Sequence, residues 1–175
     1  MNAILQTLQF EVASSLHALD ATQTQLRPPR SPDRWSIQQI MEHLFLTYSA
    51  AESALQGRLD KCTPTKSTAT FKNRVQQYAV FSLGYFPTGR PAPSIVMPPE
   101  TTHPLSGSEL TQAATQYLAS LDAISREAEK LFGEGRCARH AALGPLSADQ
   151  WRMFQLIHGR HHLKQIAAIR RAHSL

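Results

Sequence analysis

The chain has 175 residues, 42% of them hydrophobic and 18% charged, which is enough apolar side chain for one buried core and excludes disorder over most of its length. Its formal charge of +5 raises the question of nucleic acid, but the cations are dispersed, only Arg170 and Arg171 adjoin, and no zinc-finger or RNP-type motif accompanies them. Cys62 and Cys137 lack a C-x-x-C neighbour, no apolar run approaches the roughly 20 residues of a membrane span, and the start MNAILQTLQFEVASSL carries no secretory pattern, so one cytoplasmic domain over residues 1–175 is expected.

Residues 2 to about 26 place Ile4, Leu5, Leu8, Val12, Leu16 and Leu19 at spacings of three and four, which predicts a first amphipathic helix. Pro28, Pro29 and Pro32 break it, and Ser36 is a plausible cap for a second helix, with Ser31 and Asp33 competing. From Ile37 the stripe of Ile40, Met41, Leu44, Phe45, Tyr48, Ala51 and Leu55 carries that helix to about residue 60. The long connection that follows is too long to lack structure, and FKNRVQQYAVF, residues 71–81, is its best helical segment. Residues 84–107 contain Pro87, Pro91, Pro93, Pro98, Pro99 and Pro104, each removing a backbone donor, and read as a loop laid over one end of the helices. Ser106 or Ser108 caps a third long helix running to about Phe132, which GEGR ends. Ser147 and Gln150 stand in capping-box spacing ahead of a last helix reaching about residue 172. Four long amphipathic helices with the longest connection between the second and third predict an all-α four-helix bundle with at least one crossover.

The chemistry concentrates in HGRHH. At about 100° per residue, His162 falls about 40° from His158 and one turn along, an arrangement that presents two imidazoles to one ion. His161 offers a competing i, i+3 pair. Trp151, Phe154, Gln165 and Ile169 all lie within about 40° of His158, which makes that direction the inward one and favours His162. On the second helix, His43 stands amid Ile40, Leu44, Thr47 and Ala51, where an imidazole needs either a hydrogen-bonding neighbour or a metal. The residues alone leave that choice open.

Trp35, Ser36, His43 and Leu44, in the pattern W-S-x-x-x-x-x-x-H-L, together with a last-helix H-x-x-x-H followed by Gln, resemble the DinB-like superfamily. The closing stretch HAALGPLSADQWRMFQLIHGRHHLKQI is most similar to a branch of that superfamily without assigned function, and the resemblance runs through nearly the whole chain in order. It implies a bundle in up-down-down-up order, often dimeric, in which three histidines hold a divalent metal, commonly nickel or zinc. Carried over by position, those ligands are His43, His158 and His162. The superfamily includes enzymes that use low-molecular-weight thiols, S-transferases among them. No residue here aligns with a known thiol-recognition site.

Three neutral ligands leave an ion its full charge and an open position, so thiol transfer and hydrolysis are both accessible. The expected function is therefore that of a metal-dependent enzyme acting on a small molecule; the alternative is a non-catalytic bundle that the metal only steadies. Gln39 and Gln165 are placed to orient the imidazoles, although a solvated helix surface explains both as well. Tyr78, Tyr85 and His103 line a substrate mouth or merely pack the connection, and Trp35 and Trp151 are read as structural anchors. Glu42 and Asp149 are set aside as bases, the first for pointing away from His43 and the second for suiting the helix dipole.

Overall fold

The computed structural model of the chain describes residues 1–86 and 92–175. Pro87 and Pro91 of the expected loop lie outside the described residues. The protein is mostly helical, with α1 (Ala3–Leu16), α2 (Ile37–Leu59), α3 (Phe71–Gln77), α4 (Gly107–Phe132) and α5 (Ala148–Ala172), and a two-stranded antiparallel sheet of β1 (Ala138–His140) and β2 (Gly144–Leu146). The mostly helical chain agrees with the all-α expectation, to which that small hairpin is an addition. Its strands of three residues are too short to show a period of two.

Capping chemistry sets where the helices begin. Ser36 Oγ accepts from the Gln39 N–H while Gln39 Oε1 accepts from the Ser36 N–H, which decides among the three candidate caps of α2. The same reciprocal pair forms at Ser106 and Glu109 for α4 and at Ser147 and Gln150 for α5. A fourth, at Thr70 and Asn73, starts α3. The first helix is shorter than its apolar stripe predicts and stops at Leu16. His17 turns extended and Ala18 takes a positive φ of 58°, after which Asp20 Oδ1 accepts from the Thr22 and Gln23 N–H groups and starts a short 3-10 turn. Leu19 stays buried, but from a turn. The segment expected to be helical at 71–81 is so throughout, α-helical to Gln77 and widening into a π-helical turn over Tyr78–Ser82.

α1 and α2 each pack against α4 and α5, which also touch each other. Leu5, Leu8, Val12, Ile37, Leu44, Tyr48, Leu118 and Ile166 share one core with no exposed surface. Truncating such a leucine to alanine typically costs about 2–5 kcal/mol. A charged cluster reaches into the core from its surface: the buried Arg152 guanidinium, 1% exposed, meets the partly exposed Glu129 with both terminal nitrogens, the exposed Asp149 at 2.8 Å and the buried Asp122 at 3.8 Å. Asp122 and Glu129 lie on α4 and Arg152 on α5, so the cluster fixes the alignment of those helices. No helix of the described residues is long and apolar enough to cross a membrane.

The hairpin is tied to the rest of the chain through α3. Asn73 Nδ2 donates to the Ala142 carbonyl at 2.9 Å and Gln77 Nε2 to the Leu143 carbonyl at 2.8 Å. Gly144 follows with φ 75°, and a Cβ there would lie 2.7 Å from Asn73, so glycine is required both for the turn and for this approach.

Candidate metal centre

His43 arrives from the second turn of α2, and His158 and His162 from successive turns of one face of α5. The three side chains are only 4%, 4% and 6% exposed. Their ligand atoms all lie within 4.8 Å of one another, a group that can hold a metal ion. His158 Nε2 is 3.4 Å from His43 Nε2 and 3.0 Å from His162 Nε2. Two nitrogens bound tetrahedrally to zinc at about 2.0–2.1 Å stand roughly 3.3–3.4 Å apart, so the separations suit a shared ion.

The opposite side of each ring decides which nitrogen is free. His43 Nδ1 donates to the Val96 carbonyl at 2.7 Å and His162 Nδ1 donates to Gln165 Oε1 at 3.1 Å. Both rings therefore keep the Nε2 lone pair, and both lone pairs point at His158. His158 can give a proton to only one of them. A cation between the three nitrogens removes the remaining lone-pair repulsion, so the donor set fits a divalent metal.

Burial also keeps the imidazoles neutral. It pushes His158 well below the ordinary histidine value, helped by His162 and His43, and it lowers His43, where the Val96 carbonyl opposes the shift. Burial, followed by the charge of His43, brings His162 down to about 3. At neutral pH an arriving ion therefore displaces no proton from the cluster.

It is His162 that stands in the cluster. His161 lies outside it, with its Nε2 accepting from Gln165 Nε2 at 3.2 Å, so Gln165 links the two rings. Of the two glutamines offered as orienting groups, Gln165 does touch an imidazole. Gln39 does not: its amide completes the α2 cap and donates to the Pro99 carbonyl at 3.3 Å. Gln38 binds the His103 carbonyl at 3.0 Å and the Leu105 N–H at 2.8 Å. These two side chains hold the proline-rich connection on α2. Thus the loop expected merely to cover one end of the helices delivers the Val96 carbonyl to His43.

Aromatic walls enclose the cluster. Trp35 lies 4.9 Å from His43 and stacks at 6.3 Å on His162, so it belongs to the site as well as anchoring its helix. Phe154 stacks on His158 at 5.4 Å and Phe86 sits 4.8 Å from it. Tyr78 and Tyr85, expected as mouth or packing residues, are exposed, and His103 contributes its carbonyl. His140 was not singled out from the sequence. Its ring packs 4.5 Å from Phe154 and 5.3 Å from the buried Trp151. Glu42 accepts from Gln38 and Asp149 from Arg152, so both are occupied away from the imidazoles.

Fold and cluster together define a mostly helical protein with a buried three-histidine group able to hold a metal ion. A family model described as "Protein of unknown function (DUF1569)" matches residues 5–168, and the chain belongs to that family. No curated protein and no solved structure matches it.

Proposed function

We propose that this protein is a metal-dependent enzyme of the DinB-like superfamily, acting on a small molecule by thiol-dependent S-transfer or by hydrolysis. The observation that carries the reading is the convergence of three Nε2 atoms from rings whose outer nitrogens, in His43 and His162, are held by a carbonyl and an amide oxygen. In this reading α1, α2, α4 and α5 form the four-helix bundle in up-down-down-up order, the ligands are His43, His158 and His162, and the ion is nickel or zinc. The protein works in the cytoplasm as a homodimer, with a low-molecular-weight thiol as its candidate small-molecule partner.

When bound, the ion supplies Lewis acidity, the property that makes a thiol or a water nucleophilic at neutral pH. The chain does the rest. His43, His158 and His162 add no charge of their own and so leave the cation undiminished. Val96 and Gln165 keep two rings from rotating, and Trp35, Phe86 and Phe154 exclude bulk water and strengthen electrostatic interactions inside. That close aromatic cover also supports the second reading, a non-catalytic site in which the metal steadies the fold.

Metal content of tag-free protein by mass spectrometry is the test. Near-stoichiometric nickel or zinc should be present in wild type and in His161→Ala, and lost in His43→Ala, His158→Ala and His162→Ala. Wild type without metal after dialysis against either ion would overturn the reading. Cobalt-substituted protein then separates the two alternatives: added thiol changes the visible spectrum if a coordination position is open and leaves it unchanged if the site is closed.

A further inference from the structure

The third imidazole lacks what the other two have. His158 Nδ1 is buried and has no hydrogen-bond partner among the described residues. A metal-binding histidine almost always donates its other N–H, and a buried polar atom left unpaired carries its full desolvation penalty. One turn earlier on the same helix, Gln155 has no exposed surface, and both its amide oxygen and its amide nitrogen are buried without a partner. Three unpaired atoms thus lie on two side chains at i, i+3 spacing, which places them as neighbours on one helix face.

α5 pairs a histidine with a glutamine at this separation once more, in the opposite chain order. His162 and Gln165 are also three residues apart, and there the amide oxygen accepts from Nδ1 at 3.1 Å. We propose that Gln155 is the positioning residue of His158, its Oε1 accepting the Nδ1–H directly or through one internal water, so that each of the three imidazoles is oriented by an oxygen: Val96 O, Gln155 Oε1 and Gln165 Oε1. The inference rests on the triad reading and extends it to an inner residue. Gln155 touches neither the ion nor a substrate. Its role is to hold the His158 proton on Nδ1 and the lone pair on Nε2, where the other two rings converge.

The experiment compares wild type, Gln155→Leu and Gln155→Glu, using zinc as the probe in competition with a chromophoric chelator. Histidine 15N–1H spectra, with His158 assigned from a His158→Asn variant, report the tautomer. Gln155→Leu should bind zinc about 10–100-fold more weakly and shift or broaden the His158 Nδ1–H resonance. Its unfolding temperature should fall even without metal, because the buried His158 Nδ1–H is left without its acceptor. Gln155→Glu keeps an acceptor and should retain both the resonance and the affinity. A residue that only fills space would leave the proton signal unmoved. Equal zinc affinity together with an unchanged His158 spectrum in Gln155→Leu would overturn the assignment. If wild type binds no zinc, the triad reading fails, and the tautomer of His158 in the metal-free variants still decides the role of Gln155. Should the leucine variant not fold, Gln155→Glu decides alone: loss of the Nδ1–H signal there would count against the proposal.

Discussion

His140 illustrates how much a single ring can be constrained by its surroundings. Its Nδ1 accepts from the Ala142 and Leu143 N–H groups at 3.2 and 3.1 Å, which makes the hairpin turn depend on the unprotonated ring. Burial pushes the group down from 6.5 to about 4. The unfolded chain therefore takes up this proton first as the pH falls. The stabilisation is complete above about 6.5 and is lost progressively toward about 4. His162, brought down to about 3, acts in the same direction. The urea midpoint should decline between pH 6.5 and 4, and His140→Asn should make the decline shallower without abolishing it; equal slopes would refute this account. Arg152 is the second residue on which much depends. Replacing it by alanine removes its hydrogen bonds to Glu129 and Asp149 from the α4–α5 contact, while Asp122 keeps Arg126 at 3.3 Å and the Asn2 N–H at 3.1 Å, and should cost about 1–3 kcal/mol in urea unfolding. Glu129→Gln should cost far less, since Glu129 is partly exposed and Asp149 remains.

At the level of elements, two glycines set how closely helices approach. A Cβ on Gly107 would stand 2.1 Å from the Leu16 carbonyl oxygen, a backbone atom at the end of α1, and the Gly107 N–H bonds the Leu19 carbonyl at 2.9 Å. Neither backbone can yield. On Gly159 the first obstacle is Leu8 Cδ1 at 2.5 Å, the end of a side chain that can change rotamer. Gly107→Ala should therefore destabilise by at least the roughly 1–3 kcal/mol typical of overpacking. Gly159→Ala should cost less, because the helical gain of about 0.8–1 kcal/mol from alanine offsets part of the strain. Thermal unfolding of the two variants tests the ranking, and the reverse order would show that α1 can shift more readily than Leu8. Gly159 sits inside HGRHH, so the turn that carries the histidines is also the turn on which α1 packs.

Across the whole molecule, the triad joins α2 to α5 over 115 residues of sequence. An ion bound only by the folded state stabilises it in proportion to its occupancy, by about 2.7 kcal/mol at a concentration of 100 Kd. For a chain of this size that corresponds to a rise of roughly 5–10 °C in unfolding temperature. Zinc or nickel should produce this rise in wild type and none in His162→Ala. A rise of equal size in the variant would place the ion elsewhere. The connection between α2 and α4 takes part in this coupling, since the Val96 carbonyl reaches His43 only while Gln38 and Gln39 hold the proline-rich chain in place.

Apolar spacing and capping residues were legible along the chain because they act within one or two turns. Ile37, Leu44 and Leu55 marked α2, Ser147 with Gln150 marked the start of α5, and the one-turn spacing of His158 and His162 placed both rings on one face. Local patterns could equally mislead, as where Leu19 extended the first stripe past the turn that ends α1 at Leu16. The sequence by itself determined which residues were available to meet. Which of them did meet was decided by tertiary structure: Val96 with His43, Trp35 with His162, Phe86 with His158, and the three-residue strands with each other. Those contacts join positions far apart in the chain through carbonyls and ring faces that every residue or any aromatic can offer. They leave no periodic trace in the sequence, because only the packing of whole helices brings them within reach.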